Sequence, residues 1–458
     1  MKYLIACVAL ALTLYGCASL ATPRREVRVA TFVSDATPPM GAPLCSGDVK
    51  PAESIDDPLH ARGIIILPGR QKPIVLVSVE WVGIANGAQD RWRDRLAAAA
   101  GTTPDRVSVH VTHVHDAPFA DDTVEGLLAQ HGMSGAAFDV AASHAAIENA
   151  ANALEAALRN PRTVTHVGHG AAPVKEVASN RRILGPDGKV KAIRWSATVD
   201  PAVRAEPEGV IDPLGRVISF WDGETPVAAL SYYATHPQSK YGLGKVSADF
   251  PGLARAKMEA ALGCPVIHFN GAAGNITAGK YNDGNIANRP ILAQRLFDGL
   301  HAAWKDTKKY PLAPSDIVLD ARTLALPQRP EVDEAHERGL LKDTQADKGE
   351  RRNAAVEIAW IDRAREGVET PVACLHLGPI RVLHMPGELF VEYQLAAQAM
   401  RPDLPVAMAA YGEYGPGYIG TCVAYPQGGY ETQLHVSRTA PEVEPLLMNA
   451  IKDMLTKQ

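Results

Sequence analysis

Short apolar runs alternate with helix-length segments over nearly the whole of this chain, and that alternation constrains the fold more than any other feature. Runs at residues 64–67 and 74–79 flank a Pro68-to-Pro73 turn containing Gly69. Runs at 217–220 and 227–232 flank Asp222-Gly223-Glu224-Thr225, and runs at 372–377 and 380–383 flank Gly378-Pro379. Each pattern predicts two strands joined as a hairpin. Further strands are predicted at 107–111 and 265–269. Helices are predicted at 90–100 (closed by Gly101), 137–158, 250–262, 388–400 and 441–455. The charged stretch 329–366 reads as a solvated helical insertion. The chain has 458 residues, enough for two or three domains at roughly 100–200 residues each. No Pro/Gly/Ser linker divides it, and it shows no internal repeat. The expectation is an α/β fold of mixed β-sheets with flanking helices, forming one catalytic domain over residues 31–458.

Lys+Arg is 46 against Asp+Glu 51, a net charge of −5. Such a chain offers no basic field for nucleic acid, and an aromatic fraction of 6% argues against a base-stacking surface. No protein partner is evident. Residues 1–17 read as an export signal. Met1-Lys2 precedes an uncharged apolar run from Tyr3 to Tyr15, too short to span a bilayer but suited to a signal sequence. The run ends in Leu14-Tyr15-Gly16-Cys17, which resembles a bacterial lipobox. The expected mature protein is exported, anchored to a membrane surface by a lipid on Cys17 or else secreted or periplasmic. Residues 18–30 read as a tether. Four cysteines follow, Cys45, Cys264, Cys374 and Cys422. They lack the CxxC pairing of a structural zinc cluster, and either two disulfides or four buried thiols fit them.

The residues able to carry chemistry lie at predicted strand ends. His113 and His115 follow the 107–111 run. Alternation with period two puts both imidazoles on one side of a strand, where they can face one ion. His236 follows the 227–232 run in the same way. Three histidines at two strand ends suit a catalytic zinc, which takes three protein ligands and leaves a position for water. Glu388, after Met385-Pro386-Gly387, supplies a carboxylate and is expected in the first turn of a helix. There it would also suit the helix macrodipole. The run of small residues from Asn270 to Thr277 allows close backbone approach, or simply makes a tight turn. Of the chain's 13 tyrosines, five fall between residues 411 and 430, as a substrate-binding surface or as loop anchors.

In this order the blocks resemble the catalytic domain of the neutral/alkaline (non-lysosomal) ceramidases. The resemblance rests on Asp35 to Gly41, Asp57 to Arg62, Thr112 to Pro118 and Asn180-Arg181. It continues through Thr235-His236-Pro237, Ser247 to Gly252 and Met385 to Glu388, and ends with Tyr418, Tyr425 and Tyr430-Glu431. It implies a zinc-hydrolase-type domain that cleaves the amide bond of an N-acyl sphingoid or related N-acyl substrate, a lipid or small molecule, with metal-activated water. It implies His113, His236, Glu388 and Tyr418 as ligands of Zn2+. His115, Arg181 and Tyr430 would polarise the substrate and move protons. Thr277 aligns with a functionally important serine, within Gly274 to Gly279 where the family reads Gly-Asp-Val-Ser-Pro-Asn. The chain stops where full-length ceramidases continue into an immunoglobulin-like domain. These departures leave two alternatives to ceramide hydrolysis. One is a surface-anchored binding lipoprotein that kept the fold and lost catalysis. The other is a zinc hydrolase of a different ester or amide.

Overall fold

Ile64, Ile65 and Ile66 are all fully buried, yet they point alternately to opposite faces of one strand. Ile64 and Ile66 join one apolar cluster, Ile65 another. The neighbouring strand repeats the pattern, with Ile74 and Leu76 in the first cluster and Val75, Val77 and Val79 in the second. A sheet covered on both faces needs apolar side chains on both, which is why these segments read as continuous apolar runs.

The computed structural model describes residues 26–456. The expected export signal and the expected lipidation site Cys17 lie outside the described residues. The expected tether does not extend to residue 30, because a strand begins at Val27. Val27 and Val29 are buried in the inner cluster, and their residues pair with both Ile66–Pro68 and the short strand at Arg162–Val164.

Three sheets form the frame. The first orders its strands Val107–Val111, Ile74–Val79, His60–Pro68, Val27–Asp35 and Arg162–Val164. The second orders Val266–Asn270, Thr225–Tyr233, Leu214–Asp222, His166–Pro173 and Lys308–Pro311. The third orders Ile317–Leu324, Thr370–Leu377, Ile380–His384 and Val406–Ala409. One face of each contributes to a shared core, with Val29 and Leu76 from the first, Phe220 and Leu230 from the second, and Leu375 and Val382 from the third. Helices cover the outer faces: Asn86–Ala100 and Val140–Ala157 on the first sheet, Asp249–Leu262 and Asn288–Lys305 on the second, Val391–Met400 and Val443–Thr456 on the third.

Each sheet is antiparallel except for one parallel pair, and each pair is joined through a helix, the connection parallel neighbours require. The carboxyl ends of these six strands converge. Val111 N–H donates to Tyr411 O at 3.0 Å, Ala410 N–H to Asn270 O at 3.0 Å, and Met385 N–H to Ala409 O at 2.8 Å. In open α/β sheets such strand ends are where ligands bind, and the loops carrying His113, His236, Glu388 and Tyr418 leave from four of them, whereas Arg181 follows the antiparallel His166–Pro173 strand.

All three predicted hairpins are present. Gly101 closes its helix at φ +66, in the left-handed region that glycine accepts freely. Other expectations are corrected. The 329–366 stretch forms helices Glu334–Lys342 and Lys348–Arg365, but the second is packed rather than solvated. Ala354, Ala355, Ile358 and Ala359 are buried, and the Glu357 carboxylate meets Arg438 at 2.9 Å. Apart from buried Arg351 and Glu357, its charges line the other face of an amphipathic helix. Cys45, Cys264, Cys374 and Cys422 are all free thiols, and Cys422 is exposed. No described helix is long and apolar enough to cross a membrane.

Candidate metal centre

His113 leaves the Val107–Val111 strand in an irregular turn, not on the strand itself. Its backbone sits at φ +66, an uncommon conformation for a side-chain-bearing residue. Its N–H is bonded to Trp81 O at 2.9 Å. Ring Nδ1 lies 2.7 Å from Val82 O. His236 follows the Thr225–Tyr233 strand, with Nδ1 2.7 Å from Ala273 O and 2.9 Å from Ile276 O. Carbonyl oxygens only accept, so each ring places a hydrogen on Nδ1. In the neutral form Nε2 therefore carries the lone pair. Burial pushes the His236 imidazolium toward that form, the Glu388 carboxylate only partly offsetting it.

Both Nε2 atoms point at one carboxylate oxygen. Glu388 Oε2 is 2.9 Å from His236 Nε2 and 3.3 Å from His113 Nε2. It is buried and accepts no hydrogen bond from any described residue. Glu388 is not in a helix as expected. It pairs with Tyr418 in a two-residue parallel ladder, Glu388↔Tyr418 and Leu389↔Ile419, and the helix starts only at Val391. The ladder puts the Tyr418 hydroxyl 3.3 Å from His236 Nε2. Two imidazole lone pairs and a carboxylate oxygen, gathered without a proton between them, repel one another unless a cation is shared. Their nitrogen and oxygen donors suit a divalent transition metal. The carbonyls on Nδ1 are the outer partners that fix the orientation of a ligating histidine.

The remaining predicted groups surround this cluster. His115 Nε2 lies 3.2 Å from His113 Nε2. It also accepts from the Gln238 amide, while Nδ1 faces Cys45 Sγ at 3.6 Å. Burial pushes His115 well below the ordinary imidazole range, and the neighbouring His113 adds to the shift. It is therefore a neutral base at pH 7. Arg181 NH1 donates to the Tyr418 hydroxyl at 3.2 Å, and Nε meets Glu431 at 2.7 Å. Its guanidinium lies over the rings of Trp195, Tyr418 and Tyr430. Tyr430 is half-buried, its ring 5.8 Å from that of Tyr418. Burial pushes its hydroxyl up to about 12, so it stays a proton donor at neutral pH.

Neither a family model nor a curated protein matches the chain. Solved structures do. A ceramidase complexed with C2 superposes with a TM-score of 0.70 at 17% identity, over 94% of this chain and 75% of that one. The fold is that of the neutral ceramidases. The neutral ceramidase from Pseudomonas aeruginosa gives a TM-score of 0.68 at 17% identity, over 94% of this chain and 74% of that one.

Within this ceramidase fold, seven of the eight expected site residues lie in one cluster, and Thr277 stands apart from it. The Thr277 hydroxyl donates to Arg194 O at 3.1 Å and accepts from Gly279 N–H at 3.2 Å. Its strand pairs with Ser179–Asn180, next to Arg181. Asn275, where the ceramidase pattern has Asp, accepts from Val391 N–H at 2.9 Å and caps the helix after Glu388. Gly274 is small because a Cβ there would strike Glu388 O. Three residues to which the sequence gave no individual role also pack against the centre. The Tyr414 hydroxyl donates to Glu388 Oε1, Tyr411 stacks on His113 with ring centroids 4.6 Å apart, and Gln238 holds His115. The density of tyrosines at 411–430 was a signal for the first two. Gln238, two residues after His236, carried none.

Proposed function

We propose that the protein is a zinc-dependent hydrolase that cleaves the amide bond of an N-acyl lipid. The observation that carries this reading is the convergence of His113 Nε2, His236 Nε2 and Glu388 Oε2 on one point, in a chain whose fold is shared with ceramidases. Zinc held there would supply Lewis acidity and a water of lowered pKa. The chain's own residues supply the rest. His115 is a half-buried neutral imidazole beside the ligands, placed to take a proton from the attacking water and return it to the leaving amine. Arg181 and Tyr430 lie beside the cluster through the Tyr418 ring, where they would bind a carbonyl oxygen that gains charge. Arg181 is fixed for this by Glu431, so little reorganisation is needed.

The test is hydrolysis of a panel of N-acyl substrates, ceramides included, by zinc-replete and by chelator-stripped protein. Turnover that disappears on chelation and returns with zinc supports the proposal. Absence of turnover on every amide, with metal bound, would leave a binding protein or an ester hydrolase, which an ester panel separates. Anchoring through Cys17 is part of the same proposal, and mass spectrometry of the mature N-terminus tests it. An unmodified terminus beyond residue 17 would mean simple secretion.

A further inference from the structure

Trp195 leaves 48% of its surface exposed, although the residues on either side of it are buried. A single exposed apolar residue is ordinary on a protein surface. This one is set apart by how it is held and by what it touches. Arg194 is fully buried, and its guanidinium donates to the carbonyls of Val203, Asn180, Glu206 and Pro207. Its backbone N–H bonds to Arg181 O at 2.8 Å. The Ser196 hydroxyl donates to Gln238 Oε1, and Ser196 O accepts from Asn282 Nδ2 at 2.7 Å. Trp195 O accepts from the Thr198 hydroxyl at 2.7 Å. It also lies so close to Gly279 that a Cβ there would come within 1.9 Å. The fold thus fixes the backbone at this position and turns the indole outward.

The indole lies against the two groups to which the proposed function gives the carbonyl oxygen. Its ring meets that of Tyr430 edge to face, with centroids 5.2 Å apart. The Arg181 guanidinium lies 5.3 Å from the centroids of both rings. Arg181 itself is buried and tied to Glu431 and the Tyr418 hydroxyl, so Trp195 carries that pair out to solvent. Tyr241 is the other exposed aromatic ring at the centre, and it packs elsewhere. Its ring stands edge to face with His115 at 4.9 Å.

An amide carbon carries an oxygen, a nitrogen and an acyl chain. Under the proposed function the oxygen faces Arg181 and Tyr430, and the nitrogen leaves beside His115 and hence beside Tyr241. We infer that Trp195 is the platform for the acyl chain, a specificity-determining residue whose exposed face takes the methylenes attached to the scissile carbonyl. Both surfaces are apolar and both leave water when they meet. This inference rests on the amide-hydrolase reading and adds a preference for long acyl chains over acetyl.

Zinc-replete parent and Trp195→Ala, compared on N-octanoyl- and N-acetylsphingosine, test it. The octanoyl amide should lose about tenfold or more in kcat/KM through KM, the scale of a few methylenes returned to water. The acetyl amide should change by less than about twofold, since it lacks those methylenes. Trp195→Phe restores an aromatic face and should keep most of the preference. Zinc content and Tm should stay close to those of the parent in both variants. Equal losses on the two amides would overturn the inference, because Trp195 would then act only by holding Arg181. An octanoyl preference that Trp195→Ala leaves intact would overturn it as well. Calorimetry with octanoate, acetate and octylammonium gives a readout independent of turnover. Octanoate should bind more tightly than acetate, and Trp195→Ala should remove that difference while leaving octylammonium unaffected. If Trp195→Ala weakened octylammonium instead, the indole would serve the amine side and the inference would fail. A parent that hydrolyses no amide would sink the proposed function, and the octanoate comparison would still decide the platform.

Discussion

At the scale of single residues, the proposed function divides groups that would hold a metal from groups that would move protons or orient others. His236→Ala removes one of few ligands and should lower zinc occupancy, read by elemental analysis. His115→Ala should leave occupancy close to normal and lower the turnover number about a hundredfold, the scale of a positioned acid–base group. Loss of zinc from His115→Ala, with zinc kept in His113→Ala, would reverse the two roles. Tyr414→Phe is predicted to weaken zinc binding about 10–100-fold, the usual effect of removing an outer partner of a ligand, because Glu388 would lose the donor on Oε1. Competition with a metal chelator measures this directly. The sequence did pick out the histidines that converge, but for a reason that holds only in part. Period-two alternation brings His113 and His115 together only on a strand. Here the strand ends at Val111, and a left-handed turn at His113 performs the convergence instead.

At the scale of elements, the centre depends on one short ladder. Glu388 and Tyr418 come from loops after different strands of the third sheet, and pairing over two residues sets them side by side. Gly387 makes this possible. It lies at φ +57, and a Cβ there would come within 2.5 Å of Gly417 O, the carbonyl to which Glu388 N–H bonds. Gly387→Ala should therefore push the two loops apart. The expected result is a loss of roughly 1–3 kcal/mol of stability from the strained conformation, together with reduced zinc occupancy. Denaturant unfolding and elemental analysis on the same preparation test both. No propensity argument could have found this ladder. Two residues are too few for a periodic signal, and the same Glu388 was read as helical because Pro386-Gly387 followed by a long apolar stretch is an ordinary helix start. The helix does follow, but from Val391.

At the scale of the whole molecule, buried ionisable groups make stability depend on pH. Burial pushes the Glu413 carboxyl up to about 7, above its value of about 4.5 in the unfolded chain. Between those values the folded chain holds a proton that the unfolded chain has released. The group's contribution to stability is therefore full below pH 4.5 and is lost as pH rises through 7. Gln has no such proton. The stability of Glu413→Gln relative to the parent should thus improve from pH 5 to pH 8, on the order of 2 kcal/mol. Urea unfolding of both proteins at the two pH values measures the difference, and an unchanged difference would mean that Glu413 is not protonated in the fold. The three hairpins, the strand before His113 and the Gly101 helix end were all legible in the sequence, because each rests on local physics: turn residues, apolar runs and the freedom of glycine at positive φ. The first strand was missed because Val27 to Ala30 forms a short run beside a basic segment, and only its pairing with two neighbours shows that it is core. Fold class and the residues that gather at the candidate centre were legible from local pattern or motif order. The tertiary structure alone decided that the Thr277 hydroxyl is held by Arg194 O and that Tyr411, Tyr414 and Gln238 pack against the cluster. These are contacts between residues up to hundreds of positions apart, made when three sheets bring their strand ends together, and no local pattern in a chain encodes them.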